Sequence, residues 1–197
     1  MFCVQGAYGD DEVIVRRSAL GSAHRFVYLT RESCGQYSYQ WVEDPVTACL
    51  NVEGLGYDIA REMLECYYWT HTFKFAHHEL CLLGPFLQAD SFGFGMTPAH
   101  YARNLQIQIR PLDFAFLLPE KRAFEEQRCC RAIEALNAIQ TTRTEVAIEI
   151  DTTQGSLSDA DYERFTLGAA EFTTQIKSAV ESLREKGLRV TLGPGAS

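Results

Sequence analysis

The sequence is short of positive charge. Its 197 residues carry 18 Lys and Arg against 26 Asp and Glu, a formal net charge of −8 with a pI near 5.1. Duplex nucleic acid and anionic membranes both recruit clustered Lys and Arg, so neither is expected as a main partner. Long apolar runs are missing as well. A membrane-spanning helix needs roughly 20 predominantly apolar residues, and the longest candidate, residues 114 to 118, falls far short. The opening stretch, MFCVQGAYGDDEVIV, has no basic segment leading into an apolar one, so it does not read as a secretory signal. The seven cysteines (Cys3, Cys34, Cys49, Cys66, Cys81, Cys129 and Cys130) are an odd number without repeated close spacing. That excludes a disulfide framework and points to a reducing compartment, cytoplasm or nucleus, with most thiols serving as small core residues.

Signatures of chemistry are equally sparse. G-x-S-x-G, H-E-x-x-H and C-x-x-C do not occur. The Gly-rich turn SFGFGM, residues 91 to 96, lacks the third Gly or the Lys of a phosphate-binding loop, and Phe92 and Phe94 read as pins to the core. DTTQGSLSDAD, from residue 151, lacks calcium-loop spacing. His71, His77, His78 and Glu79 crowd into HTFKFAHHE, but His77 and His78 are adjacent and point apart on a strand or a helix. Surface and helix-start histidines are the better reading, and no metal or cofactor is expected. Cys129-Cys130 stands within a helical pattern, where one buried and one partly exposed thiol is the expectation. Glu149 and Asp151 share a strand face near a run of further acids, but solvated carboxylates explain them better than acid–base catalysis.

What the chain does carry is a repeated pattern. Hydrophobic residues make up 46% and charged residues 22%, enough for one domain with a substantial core. Residues 1 to 49 are β-rich and irregular, with strand-forming runs at 13 to 15, 24 to 29 and 37 to 41. From residue 50 to 192, helical periodicity alternates with short strands. Ile59, Met63 and Tyr67, flanked by Ala60, Leu64 and Tyr68, form a first apolar stripe. Residues 79 to 90 are a weaker helix interrupted by Gly84-Pro85. Phe124, Cys129, Ile133, Leu136 and Ile139 line a helix over 120 to 140. Phe165, Phe172, Ile176, Ala179 and Leu183 line the last, with Ser158 as its N-cap and Gly187 as its stop. Residues 193 to 197 read as a flexible tail.

The strands are centred near residues 74, 107, 148 and 190, so the helix–strand unit recurs every ~33 to 42 residues. NLQIQIR, residues 104 to 110, shows what the strands have in common: Leu105, Ile107 and Ile109 alternate with Asn104, Gln106 and Gln108. Helix-connected strands pair in parallel, and a parallel sheet covered on both faces is apolar throughout. Alternation instead predicts helices on one face and water on the other. The fold class expected is therefore α/β, an open two-layer, solenoid-like sheet. Its wet face would offer Lys74, Gln106, Gln108, Glu149 and Arg189 as a protein-contact surface. The last strand, residues 188 to 192, would be an open edge, paired with another chain or shielded by the N-terminal β segment.

PLDFAFLLPE, residues 111 to 120, stands outside the repeat. Such an excursion either packs across the helix layer, the commoner fate, or is exposed for a partner. Phe114, Phe116 and Leu117 are the candidate apolar contacts.

Residues 55 to 75, LGYDIAREMLECYYWTHTFKF, resemble a segment of fungal F-box-like proteins of mostly unassigned function. That segment runs as a C-R-Q-I-x-E-E-A helix into L-Y-x-x-N-T-F-x-F. Ile59, Glu62, Tyr68, Thr72, Phe73 and Phe75 fit; His71 replaces the Asn, and Gly56 and Tyr57 replace the Cys and Arg. YARNLQIQI is similar to the family's I-R-x-L-x-I element, so the likeness spans about residues 50 to 150. The resemblance implies a non-catalytic protein-interaction module akin to a substrate-recognition part, with ubiquitin-ligase components or a substrate protein as partners. It supplies no catalytic residues. The L-P-x-E-[IL]-R helix that opens such proteins is not found before residue 50, which puts ligase recruitment in doubt and is what a truncated gene model would also give. The competing expectation is a small enzyme with a site near His71, His77 and His78.

Overall fold

The computed structural model describes residues 12–17, 24–31, 39–43, 46–50, 52–151 and 159–194. Ser158 and the tail from 195 onward lie outside them. Strands β1 (Glu12–Arg17), β2 (His24–Arg31) and β3 (Tyr39–Glu43) are followed by two single-turn helices, α1 (Val46–Cys49) and α2 (Val52–Leu55). Helix α3 (Tyr57–Thr70) then leads into β4 (Thr72–Phe75). A 3₁₀ segment, His77–Leu82, runs into α4 (Leu83–Gln88), and α5 (Pro98–Tyr101) precedes β5 (Asn104–Ile109). Helices α6 (Leu112–Ala115) and α7 (Pro119–Ala135) precede β6 (Glu145–Ile150). Helix α8 (Asp159–Glu185) delivers β7 (Arg189–Pro194).

The strands of the described residues form one seven-stranded sheet in the order β3-β2-β1-β4-β5-β6-β7. β1, β2 and β3 are an antiparallel meander, while β1, β4, β5, β6 and β7 pair in parallel. The class is α/β with a five-strand parallel sheet. Each of the last three crossovers places its strand beside the one just made.

The alternation seen in the sequence is kept in space. Phe73, Phe75, Leu105, Ile107, Ile109, Val146, Ile148 and Ile150 are buried in a core shared with Leu64, Tyr68, Phe86, Ile133, Phe172 and Ile176 of the helices. The intervening Lys74, Gln106, Gln108, Ala147 and Glu149 are half-exposed. The apolar row therefore supplies the hydrophobic stabilisation, at roughly 25 cal/mol per Å² removed from water.

Local chemistry explains two junctions. Asp90 receives the backbone N–H groups of Gly93, Phe94 and Gly95 at 3.0, 3.2 and 2.7 Å. A carboxylate of the chain itself occupies the nest of N–H groups that an anion would need, while Phe94 is buried and Phe92 packs on the core. At the end of α8, Gly187 takes φ +87, and the Leu188 N–H donates to the Leu183 carbonyl at 3.2 Å. That is the left-handed glycine stop.

Four expectations need correction. Ile59 and Met63 are exposed, whereas Ala60, Leu64, Tyr67 and Tyr68 are buried. α3 turns the row of Ala60, Leu64 and Tyr68 inward, and of the neighbouring Ile59–Met63–Tyr67 row only Tyr67, in the last turn of the helix, reaches the core. Phe124 is exposed; it lies about 140° around the helix from Cys129 and half a turn from Ile133, the residues that α7 buries. The N-terminal β segment does not shield β7, because β1 pairs with β4 on the far side of the sheet. Finally, β7 runs on to Pro194, two residues into the expected tail.

Candidate protein-contact surface

The parallel register lines the polar side chains into rows. Lys74, Gln106, Ala147 and Thr191 are neighbours across four strands, and Asn104, Glu145 and Arg189 across three. Gln108 pairs with Glu149 one step on. All five candidate residues share this face: Lys74, Gln106, Gln108 and Glu149 are half-exposed and Arg189 is exposed. Its side chains are partly tied together. Gln106 Nε2 donates to Glu149 Oε1 at 2.6 Å, and Arg189 Nη1 meets Glu145 Oε1 at 3.2 Å. Arg189 is therefore already in an exposed ion pair, worth little by itself.

The apolar candidates divide. Phe114 is buried: it stacks on His77 at 5.5 Å and meets Phe172 edge-on at 5.3 Å, tying α6 to α8. It is a core residue, correcting its assignment as a contact, because the short turn of α6 rolls it beneath the helix layer. Phe116 and Leu117 remain outside, joined by Leu118 and Phe124, and these four large apolar side chains are between 39% and 69% exposed. Beside them an open groove of about 610 Å³ is lined by Glu120, Ala123, Phe124, Glu126, Gln127 and Cys130 of α7 and Gln175 of α8. Leu118 belongs to the same PLDFAFLLPE excursion; the exposure of Phe124 was missed in the sequence, since helical spacing alone cannot tell which side of α7 the core takes.

The three histidines do not converge. β4 separates His71 from His77, about 13 Å of strand. His71 Nδ1 lies 3.0 Å from the Tyr67 carbonyl at the end of α3. His77 is buried, with Nδ1 4.0 Å from Cys129 Sγ and Nε2 3.4 Å from Arg128 Nη2, while His78 is exposed. Burial pushes the His77 imidazole down to about 4, helped by Arg128 and opposed by Asp113. Burial pushes the Cys129 thiol up to about 12, against the pull of Arg128. Both groups are neutral near pH 7, the opposite of the thiolate–imidazolium pair a nucleophilic cysteine needs. Cys129 is buried and Cys130 half-exposed, as the sequence implied. Glu149 and Asp151 also part company: Glu149 takes Gln106, and Asp151 faces Arg110 at 3.5 Å. Among the described residues no group of three or more His, Cys, Asp or Glu could hold a metal ion, and no helix is long and apolar enough to cross a membrane.

A further link was invisible in the sequence. Arg103 stacks over Trp69 at 5.4 Å, and its guanidinium donates to Thr141 Oγ1 at 2.8 Å, joining α3 to the loop before β6. Comparison with known proteins finds no matching family model, no matching curated protein and no matching solved structure.

Proposed function

We propose that the chain is a non-catalytic protein-interaction module, a one-sided repeat of helix–strand units of the kind the resemblance to fungal F-box-like proteins implies. The carrying observation is that Phe116, Leu117 and Leu118, with Phe124 in the first turns of α7, are left exposed where an open groove runs along that helix; among the described residues the other large apolar side chains left outside are Tyr57, Ile59, Met63 and Trp69 of α3. Covering such a residue contributes roughly 1.5–3 kcal/mol, so a corner of four is a ready docking site. The half-exposed row of Lys74, Gln106, Gln108 and Glu149 supplies a second, polar surface. The partner is a protein, either a ubiquitin-ligase component or a substrate, in the cytoplasm or nucleus. The acidic balance of the chain argues against nucleic acid.

Affinity capture with the full chain tests this. A specific partner retained by the wild type and lost with the double variant Phe116→Ser/Leu118→Ser is the expected result. Ligase subunits among the retained proteins would support the family-level part. Equal capture by the double variant and by a Gln106→Arg/Glu149→Arg variant would remove both surfaces from the proposal.

A further inference from the structure

We infer that the groove between α7 and α8 receives the apolar face of a basic amphipathic helix from a partner protein. The inference rests on the reading above and gives that partner a chemistry. The groove-lining positions of α7 run from Glu120 to Cys130, one face at helical spacing. That face is ~15 Å long, the length of about three helical turns. An occupant of that length, lying along two helices, presents anchors at i, i+3, i+4 and i+7. Phe124, Ala123 and Cys130 give those anchors an apolar floor.

The rim sets the sign of the partner. Among the described residues, Glu120 and Glu126 are the charged residues lining the groove, and no Lys or Arg lines it. Arg122 already holds Glu126 at 2.7 Å, whereas no ion pair is formed by Glu120 among the described residues. A Lys or Arg beside the anchor therefore gains at Glu120 and an acidic side chain is repelled. A second copy of this chain is a poor occupant, because a two-fold contact through this groove would bring two copies of the Glu120 and Glu126 rim into one interface with no basic side chain among the described lining residues to offset them. An anionic bilayer meets the same repulsion.

The test uses two fluorescent helical peptides with Leu at the anchor positions, one with Lys and the other with Glu on the remaining face. Fluorescence anisotropy with the full chain should show the Lys peptide binding and the Glu peptide at least about tenfold weaker. Raising the salt should weaken the Lys peptide. Phe124→Asp should abolish binding, and Glu120→Gln/Glu126→Gln should weaken it ~tenfold with the circular dichroism spectrum unchanged. Phe124→Ala, a milder change, should weaken binding without loss of fold. Equal binding of the two peptides, or binding indifferent to Phe124→Asp in a folded chain, overturns the inference. So does self-association in sedimentation that Phe124→Asp dissolves, since it gives the groove to a second copy. If a cellular partner is captured through the Gln106 face while both peptides are ignored, this inference fails and the interaction reading stands.

Discussion

Gln106 and Glu149 are hydrogen-bonded across β5 and β6 at 2.6 Å, although neither is the other's register partner. Gln106 faces Ala147, and Glu149 faces Gln108, so the bond runs diagonally over the small methyl of Ala147. Diagonal neighbours in a sheet are within reach of long side chains. Both residues are half-exposed, so water competes for the same groups.

The bond should therefore stabilise the fold weakly. A double-mutant cycle with Gln106→Ala and Glu149→Ala should give a coupling below ~1 kcal/mol in urea unfolding. Ile107→Ala or Ile148→Ala, one residue away on the opposite face, should cost about 2–5 kcal/mol. Similar losses from the polar and apolar rows would contradict the one-sided burial.

The buried imidazole of His77 predicts a pH dependence. In the unfolded chain it takes a proton near its ordinary value of 6.5; in the folded protein it resists until about 4. Between those values the unfolded state binds more protons, so stability falls as pH drops from 6.5 towards 4. His77→Phe keeps a ring against Phe114 and removes the titration. Its Tm should lose less than the wild type's over that window, by roughly several degrees. Parallel Tm curves would place the acid sensitivity elsewhere.

The outer edge of β7 is blunted rather than free. Arg184 Nε donates to the Val190 carbonyl at 2.8 Å, and Pro194 ends the strand without an N–H. Arg184→Ala should bare that carbonyl and raise self-association in sedimentation velocity at high protein concentration, with monomer stability lowered by ~1–2 kcal/mol. An identical association profile for variant and wild type would show that the edge needs no guard.

Much of this architecture was legible in the sequence because a two-residue period has a single spatial meaning. Leu105, Ile107 and Ile109 had to share a face, and β4, β5, β6 and β7 stand where the alternation put them. Helices carry less information of this kind. Ile59 and Leu64 are equally apolar, yet only tertiary packing decides which row of α3 turns inward; the same ambiguity hid the exposure of Phe124. The parallel pairing of β1 with β4 was not legible at all, since they are distant in sequence and nothing in Val13-Ile14-Val15 names a partner. Within PLDFAFLLPE, Phe114 and Phe116 differ in fate because α6 is a single turn that buries one ring and releases the other. Diagonal and long-range side-chain links, such as Gln106 with Glu149 and Arg103 with Trp69, leave no local pattern to read.

The measurement that bears most directly on the two-faced sheet is thiol labelling in the folded protein, in a background with Cys3, Cys34, Cys49, Cys66, Cys81 and Cys130 changed to Ser and only the buried Cys129 kept. Gln108→Cys and Ala147→Cys should react with iodoacetamide within about an order of magnitude of a free thiol, while Val146→Cys and Ile148→Cys should label only after unfolding. Protection of the Gln108→Cys and Ala147→Cys variants to the level of Val146→Cys and Ile148→Cys would mean that both faces of the sheet are covered, and the contact surface proposed on the polar face would fall with the architecture.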